Sequence, residues 1–526
     1  MYIRKLTSLV SPKIGQAEVQ TKAGILRGVL SDGTYVFRGV EYAHARRFHL
    51  PEPPKPWEGV KEAIVYGNAC PEIFTCIPHD QYTVPHYFTV QSEDCQYLNV
   101  WTRHLDPEAK KPVMVWFHGG GMMTGSGVEH YAYDGEELSK YADVVVVTLN
   151  HRLNVLGFLD LSAYGEEYRF SGNAGTADLV AALRWVHDNI EAFGGDPERV
   201  MIFGQSGGGG KVASMLQCPY ADGLYSRACL QSGGMRKGPD LLPEQSRKVA
   251  AYVLEELGIS PENVSEIETV WYDELAAAAD KALKKTAEET GSRAFFGPVA
   301  DGDFYMGHPF NAGFRKESAH IPLLVGNVFG EFCNNFAFPK GEGSKNSWSR
   351  EYTEAQYREY FGGKADAVRE TFAETYPEKN PADALFMDGN MRRGVLDFAA
   401  LRCRQSDAPV YSFLFNLESP FNGGTTAWHN AEIPYVFHNA EYLEPSFIPG
   451  VTEILQDIMA GAWANFVASG DPNGGNVPLW PKFSLSGQET MVFDKNTEVK
   501  AGHDKKLLSV LPVIPFNMQT LMGTKK

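Results

Sequence analysis

The chain has 526 residues, 43% hydrophobic and 21% charged, with 52 glycines and 31 prolines. These proportions belong to a globular protein long enough to bury a large core, and they exclude collagen-like, globally disordered and disulfide-built miniprotein descriptions. The net charge of −17, without any basic stripe, excludes a typical nucleic-acid binder; the acidic surface favours solubility and, weakly, cationic ligands.

The N-terminal segment, residues 1–12, carries an apolar stretch broken by Thr7 and Ser8. That is shorter than the ~7–15 apolar residues of a signal-peptide core. No run approaches the ~20 apolar residues of a membrane span. A soluble, cytoplasmic protein is expected. Residues 18–40 alternate apolar and polar positions around Gly28 and Asp32-Gly33, as in a meander of strands. Four prolines make residues 50–58 an extended surface segment. Residues 112–117 and 143–148 are β-branched, apolar runs that read as strands buried on both faces of a parallel sheet. Leu179, Ala182, Leu183, Val186, Ile190 and Phe193 recur at helical spacing and predict a helix over 174–193. A third buried strand follows at 199–203. Residues 271–286 read as an exposed helix, 340–347 as a polar loop, 322–326 and 409–415 as later strands, and 451–468 as an amphipathic helix. Strands alternating with helices predict an α/β fold with a mostly parallel sheet, in one domain. The seven cysteines (Cys70, Cys76, Cys95, Cys218, Cys229, Cys333 and Cys403) form no C-x-x-C pair, so no zinc ribbon or thioredoxin-type site is expected.

Gly204-Gln-Ser206-Gly-Gly208 fits G-x-S-x-G. It lies directly after a strand-like run and before residues 211–217, which read as helical. A strand, a sharp turn and a helix hold a serine hydroxyl out at the sheet edge. The alternative is a glycine-rich turn with an idle serine. A phosphate-binding loop is excluded: Gln205 stands where its first glycine belongs, and Val212 where Ser or Thr must follow Lys211. His118-Gly-Gly-Gly121 follows the first buried strand. Consecutive glycines let backbone N–H groups turn inward as oxyanion donors; the alternative is a flexible loop.

With these motifs the chain resembles the type B carboxylesterases, the cholinesterase-like branch of the α/β-hydrolases. The resemblance extends through 37–42, Arg47-Phe48, 92–99, 150–158, 172–178, 185–197, 298–302 and 463–473, and covers roughly residues 18 to 515. It implies a large mostly parallel sheet flanked by helices, with helical insertions forming a gorge. It also implies a Ser-His-Glu triad cleaving carboxylic esters through an acyl-enzyme. Ser206 takes the place of the nucleophile. His429, in Trp428-His-Asn-Ala-Glu432, takes that of the general base, and Glu331 that of the orienting acid; Asp301 is a competing carboxylate. Oxyanion donors by position are the N–H groups of Gly120, Gly121 and Gly207. No metal or organic cofactor is implied, and no partner beyond a small-molecule ester. Rival readings are amide or carbamate hydrolysis, acyl transfer, and a catalytically silent binding module.

Several positions depart from the family pattern. Gly207 replaces a usual alanine, Gln205 a usual glutamate, and Phe332 the glycine of Asp-Glu-Gly. Loss of a carboxylate at 205 is expected to lower the histidine pKa. Arg47 with Glu93, and Arg152 with Asp178, match structural ion pairs. Cys70 and Cys95 match a loop-closing disulfide of secreted members, with the reduced state expected here. That loop lacks the choline-binding tryptophan but holds Phe74, Tyr82, Tyr87 and Phe88. Phe295 and Phe296 precede 298–302 where family members line the acyl pocket, and bulky rings there would favour small acyl groups. Ordinary core packing is the alternative.

Overall fold

The computed structural model describes residues 16–72, 87–291, 294–333 and 343–513. Eleven strands build its main sheet: β1 (Val29–Ser31), β2 (Thr34–Glu41), β3 (Tyr97–Thr102), β4 (Lys111–Phe117), β5 (Val145–Leu149), β6 (Gly195–Gln205), β7 (Arg227–Gln231), β8 (Leu323–Val328), β9 (Val410–Phe415), β10 (Glu489–Phe493) and β11 (Glu498–Ala501). Their order across the sheet is β1-β2-β3-β5-β4-β6-β7-β8-β9-β10-β11. From β5 to β10 every neighbour is parallel. The pairs outside that block are antiparallel. A small three-stranded sheet, Glu18–Gln20, Ile25–Arg27 and Val60–Glu62, stands apart.

The apolar runs explain this arrangement. All of β5, β8 and β9 is buried, as a strand covered by helices on both faces must be. The helices that concern the site are α1 (Ala174–Asn189), α2 (Gly207–Leu216), α3 (Pro243–Leu257), α4 (Tyr272–Thr290), α5 (Gly389–Gln405) and α6 (Thr452–Ser469). The expected helix over 174–193 divides: α1 ends at Asn189, and a 3-10 turn, Ile190–Phe193, continues to Gly194. The strand expected at 199–203 is longer at both ends.

The helix expected to be exposed over 271–286 is a correction. It runs as α4 and buries Leu275, Ala278, Ala279 and Ala282. Its small alanine face packs against α3, and together they join a second core cluster with Phe48, Leu156 and Phe158. An alanine-rich stripe carries too little hydrophobic contrast to reveal a packing face by periodicity alone. Residues 340–342 of the expected polar loop, and Phe74 and Tyr82, lie outside the described residues; Lys345–Ser347 form a 3-10 turn. No helix of the described residues is long and apolar enough to cross a membrane.

Two ion pairs fasten the loops that carry the site. Arg152 grips Asp178 through Nε (2.9 Å) and a second nitrogen (2.7 Å), both side chains almost fully buried. Arg152 also donates to the His49 carbonyl at 2.8 Å, tying α1 to the segment after β2. Arg47 pairs with Glu93 and donates to the carbonyls of Ile267 and Val270. Cys70 and Cys95 are adjacent buried thiols; the Leu153 N–H donates to the Cys70 Sγ at 3.2 Å. Removing one partner of a buried pair leaves an uncompensated charge, a loss of about 3–5 kcal/mol. Asp178→Ala is therefore expected to destabilise the fold by that amount, read as a lower urea midpoint, while Glu93→Ala, whose carboxylate is partly exposed, costs less.

Candidate active site

β4, β6 and β7 end side by side, and the site is built on their C-terminal ends. The chain leaves β6 at Gln205, turns at Ser206 and enters α2 at Gly207. Ser206 has φ 58° and ψ −122°, a conformation that costs a non-glycine residue ~1–3 kcal/mol and persists only where its surroundings enforce it. The enforcement is visible. The Ser206 N–H donates to the Gln231 carbonyl of β7 at 2.8 Å, and the Ser206 carbonyl accepts from the Gly210 N–H at 3.1 Å. Neighbouring backbone closes in until side chains have no room. A Cβ on Gly208 would lie 2.0 Å from the Phe117 oxygen, and one on Gly233 1.7 Å from the Ser206 oxygen.

The H-G-G-G segment follows β4. Gly120 and Gly121 adopt φ of 79° and 65°, open to glycine at little cost. The Gly120 carbonyl accepts from Met123 N (3.2 Å) and Thr124 N (3.1 Å), closing a turn. Asn154 N holds that turn through the Met122 carbonyl at 2.8 Å. The N–H groups of Gly120, Gly121 and Gly207 donate no hydrogen bond among the described residues. Gly207 lies against this turn: a Cβ there would sit 2.3 Å from the nitrogen and oxygen of Gly121. The alanine usual in the family does not fit this loop position, and glycine at 207 is a steric requirement.

Across from the serine turn, His429 and Glu331 meet. Glu331 Oε2 contacts His429 Nδ1 in a short hydrogen bond. Glu331 Oε1 accepts from Ser232 Oγ (2.7 Å) and Val328 N (3.0 Å). Three donors on one carboxylate favour its ionised form, against burial, which pushes the carboxyl up together with the nearby Asp388. His429 is buried, and burial, seconded by Arg236, holds its imidazole well below the ordinary range; Asp388 opposes. Its Nε2 has no hydrogen-bond partner among the described residues. The imidazole is thus neutral, fixed at one nitrogen and open at the other. Gln205 supplies a further hold, its Nε2 donating to the His429 carbonyl. Asp301 is not brought to the histidine: its Oδ1 accepts from the N–H groups of Asp303, Phe304 and Tyr305, and its Oδ2 from Asn173.

Phe332 packs on the imidazole, ring centroids 3.8 Å apart. The two phenylalanines expected in the acyl pocket separate. Phe296 is buried in the second core cluster. Phe295 is 43% exposed, and its ring lies beside Gly297, which also borders Met122 of the turn after β4. Sequence reasoning did not single out Ser232 or Gln231. No motif marks Ser232, and only the fold brings it to Glu331. Gln231 accepts from Trp463 Nε1 (3.2 Å) and donates to Glu432 (3.1 Å), linking α6 to the histidine loop. Glu432, wholly buried, is pushed up to about 8, chiefly by burial and then by Glu331. No group of three or more His, Cys, Asp or Glu among the described residues could hold a metal ion.

The sequence model of the carboxylesterase family matches residues 15–510. The chain belongs to the carboxylesterase family. It is 34% identical to the para-nitrobenzyl esterase of Bacillus subtilis, over 92% of this chain and 96% of that one. It is 32% identical to the phenmedipham hydrolase of Pseudarthrobacter oxydans, over 91% and 95%. Among solved structures, an esterase of Clostridium hathewayi that can hydrolyse aliphatic aromatic polyesters superimposes with a TM-score of 0.89 at 43% identity, covering 95% of this chain and 99% of that one. The large, mostly parallel sheet is that of an α/β-hydrolase, and the enzyme is a carboxylic ester hydrolase.

A neutral imidazole is the form that can accept a proton, so the acid limb of this carboxylesterase's kcat/KM should follow the histidine pKa, below the free value of ~6.5. Phe332 contributes to the burial that depresses it. Phe332→Ala is expected to admit water and move the acid limb to higher pH, toward that free value. An unchanged limb in a pH profile of p-nitrophenyl acetate hydrolysis would count against this cause.

Proposed function

We propose that this carboxylesterase hydrolyses small carboxylic esters through an acyl-enzyme formed on Ser206. His429 Nε2 takes the serine proton as Oγ attacks the ester carbonyl. Glu331 holds the imidazole in the tautomer that leaves Nε2 open, and stabilises the imidazolium as it forms. The N–H groups of Gly120, Gly121 and Gly207 receive the oxyanion; one such donor is worth about 2.7–4 kcal/mol in a preorganised site. His429 then gives its proton to the departing alcohol, and water repeats the cycle on the acyl-enzyme. The observation that carries the reading is the histidine itself: anchored at Nδ1 by Glu331 and unpartnered at Nε2. Ester cleavage is favoured over amide or carbamate cleavage by the named activity of the Bacillus subtilis and Clostridium hathewayi esterases. Phe295, beside Met122, takes the acyl-side position, and Phe296 does not, because it is spent in the core.

p-Nitrophenyl esters from acetate to octanoate test this reading with wild type and Ser206→Ala side by side. Wild type is expected to turn over, with acetate and butyrate preferred, and the variant to lose at least ~10⁴-fold in kcat. A variant retaining a tenth of the activity would remove Ser206 from the chemistry. Gly207→Ala tests the oxyanion donors. Its methyl group must displace the Gly121 backbone, so kcat should fall at least about tenfold and the melting temperature should drop as well; undiminished kcat in a folded variant would show that the turn does not bind the oxyanion.

A further inference from the structure

Behind the oxyanion turn, on the first turns of α2, stands a buried cation that the triad does not use. Lys211 is fully buried. Its Nζ donates to the His118 carbonyl at 2.8 Å and to the Gly119 carbonyl at 3.4 Å. The His118 ring closes on the same Gly119 oxygen through Nδ1 at 2.9 Å. A lysine buried without a carboxylate in hydrogen-bond contact is costly, because desolvation of an ammonium is repaid only by strong partners. Here its hydrogen-bond acceptors are two successive peptide oxygens of the catalytic loop.

A trans peptide sets its C=O and N–H antiparallel. The Gly119 carbonyl and the Gly120 N–H belong to one such unit, and the His118 carbonyl and the Gly119 N–H to another. Holding both oxygens from one side turns both N–H groups to the other. A glycine run cannot supply that order itself, since each residue rotates freely. Charge-assisted hydrogen bonds are about twice as strong as neutral ones, which suits an ammonium to this task.

We infer that Lys211 is a positioning residue of the oxyanion hole: its ammonium clamps the His118 and Gly119 carbonyls and thereby aims the Gly120 N–H at the developing oxyanion. Lys211 never touches substrate. It acts on the donor, from behind, and its positive charge lies on the side toward which the peptide dipoles point their negative ends. The groups around it agree with this placement. His118 and His151, with ring centroids 5.2 Å apart, are both held well below the ordinary histidine range, first by burial and next by the Lys211 charge, so they stay neutral beside it. Burial lowers Lys211 to about 7 and lifts Glu129 to about 8, each opposed by the other's charge, so near neutral pH ammonium and amine are both populated, and either form donates N–H bonds to the two carbonyls.

This inference rests on the oxyanion-hole reading above, and the experiment separates the two. Lys211→Met keeps the aliphatic stem and removes every donor. Lys211→Gln keeps one neutral donor. Both are compared with wild type for kcat and KM on p-nitrophenyl acetate, for inhibition by a trifluoromethyl ketone, which forms a tetrahedral adduct on the serine, and for labelling of Ser206 by a fluorophosphonate. Lys211→Met is expected to lose 10- to 100-fold in kcat with KM within threefold of wild type, and to lose trifluoromethyl ketone affinity by a similar factor. Lys211→Gln should fall between the two, at least fivefold below wild type, and it decides alone if the methionine variant does not fold. A kcat within twofold of wild type in a folded variant would overturn the proposal. So would a loss of kcat with unchanged ketone affinity, which would place the defect outside the oxyanion hole. If wild-type Ser206 takes no fluorophosphonate label, the serine reading fails first; if it does and the variants stay active, only the role of Lys211 fails.

Discussion

The site depends on one constraint, the approach of bare backbone to the turn at Ser206. Three chain segments converge there: the end of β4, the start of α2 and the chain just past β7. Side chains at 208 or 233 would collide with peptide oxygens at 2.0 and 1.7 Å. That closeness holds Ser206 at φ 58°. It also brings the H-G-G-G turn against Gly207, so Ser206 and the proposed oxyanion donors share one packed unit. The strain of ~1–3 kcal/mol at the serine is small against the many backbone hydrogen bonds of the sheet that fixes it. A parallel sheet is the suitable frame, because all its C-terminal ends open on the same side.

The histidine loop solves a different problem. A base must be neutral at rest, rigid, and open at one nitrogen. Burial, with Phe332 stacked on the ring, supplies neutrality. Glu331 supplies the tautomer, and its own geometry is fixed in turn by Ser232 and the Val328 N–H. Gln205 ties the histidine backbone to the strand that leads into Ser206. These holds come from several elements, so the relative position of His429 and Ser206 is set by the sheet and not only by the loop that carries His429.

Much of this was legible in the sequence because it is local. Residues 112–117 and 199–203 are apolar enough to be buried strands wherever they fall, and G-x-S-x-G after a strand defines its own turn. The family resemblance implied the order of serine, acid and histidine across 222 intervening positions that no local pattern spans. What escaped was relational. Ser232 and Gln231 matter only through residues roughly one to two hundred positions away. The α3–α4 pair hides in alanine, where helix propensity is plain and the packing face is not. Phe295 and Phe296 are neighbours of one type, and only the backbone decides which of them enters the core.

The departures from the family pattern at 205 and 207 act together with Glu432 and Lys211 around the serine. Glutamine at 205 takes a negative charge away from the imidazole. Burial pushes the Glu432 carboxyl up, toward the form that adds none. Lys211 donates to two successive carbonyls behind the H-G-G-G turn. Glycine at 207 lets that turn lie closer to the nucleophile than alanine would allow. In the transition state two charges develop together, an imidazolium and an oxyanion, and a site can spend its electrostatics on either. With the roles proposed above, the support for the imidazolium narrows to Glu331 and Asp388, while that for the oxyanion gains the Lys211 donors and a closer loop, so the proposed balance of stabilisation shifts from the base to the oxyanion.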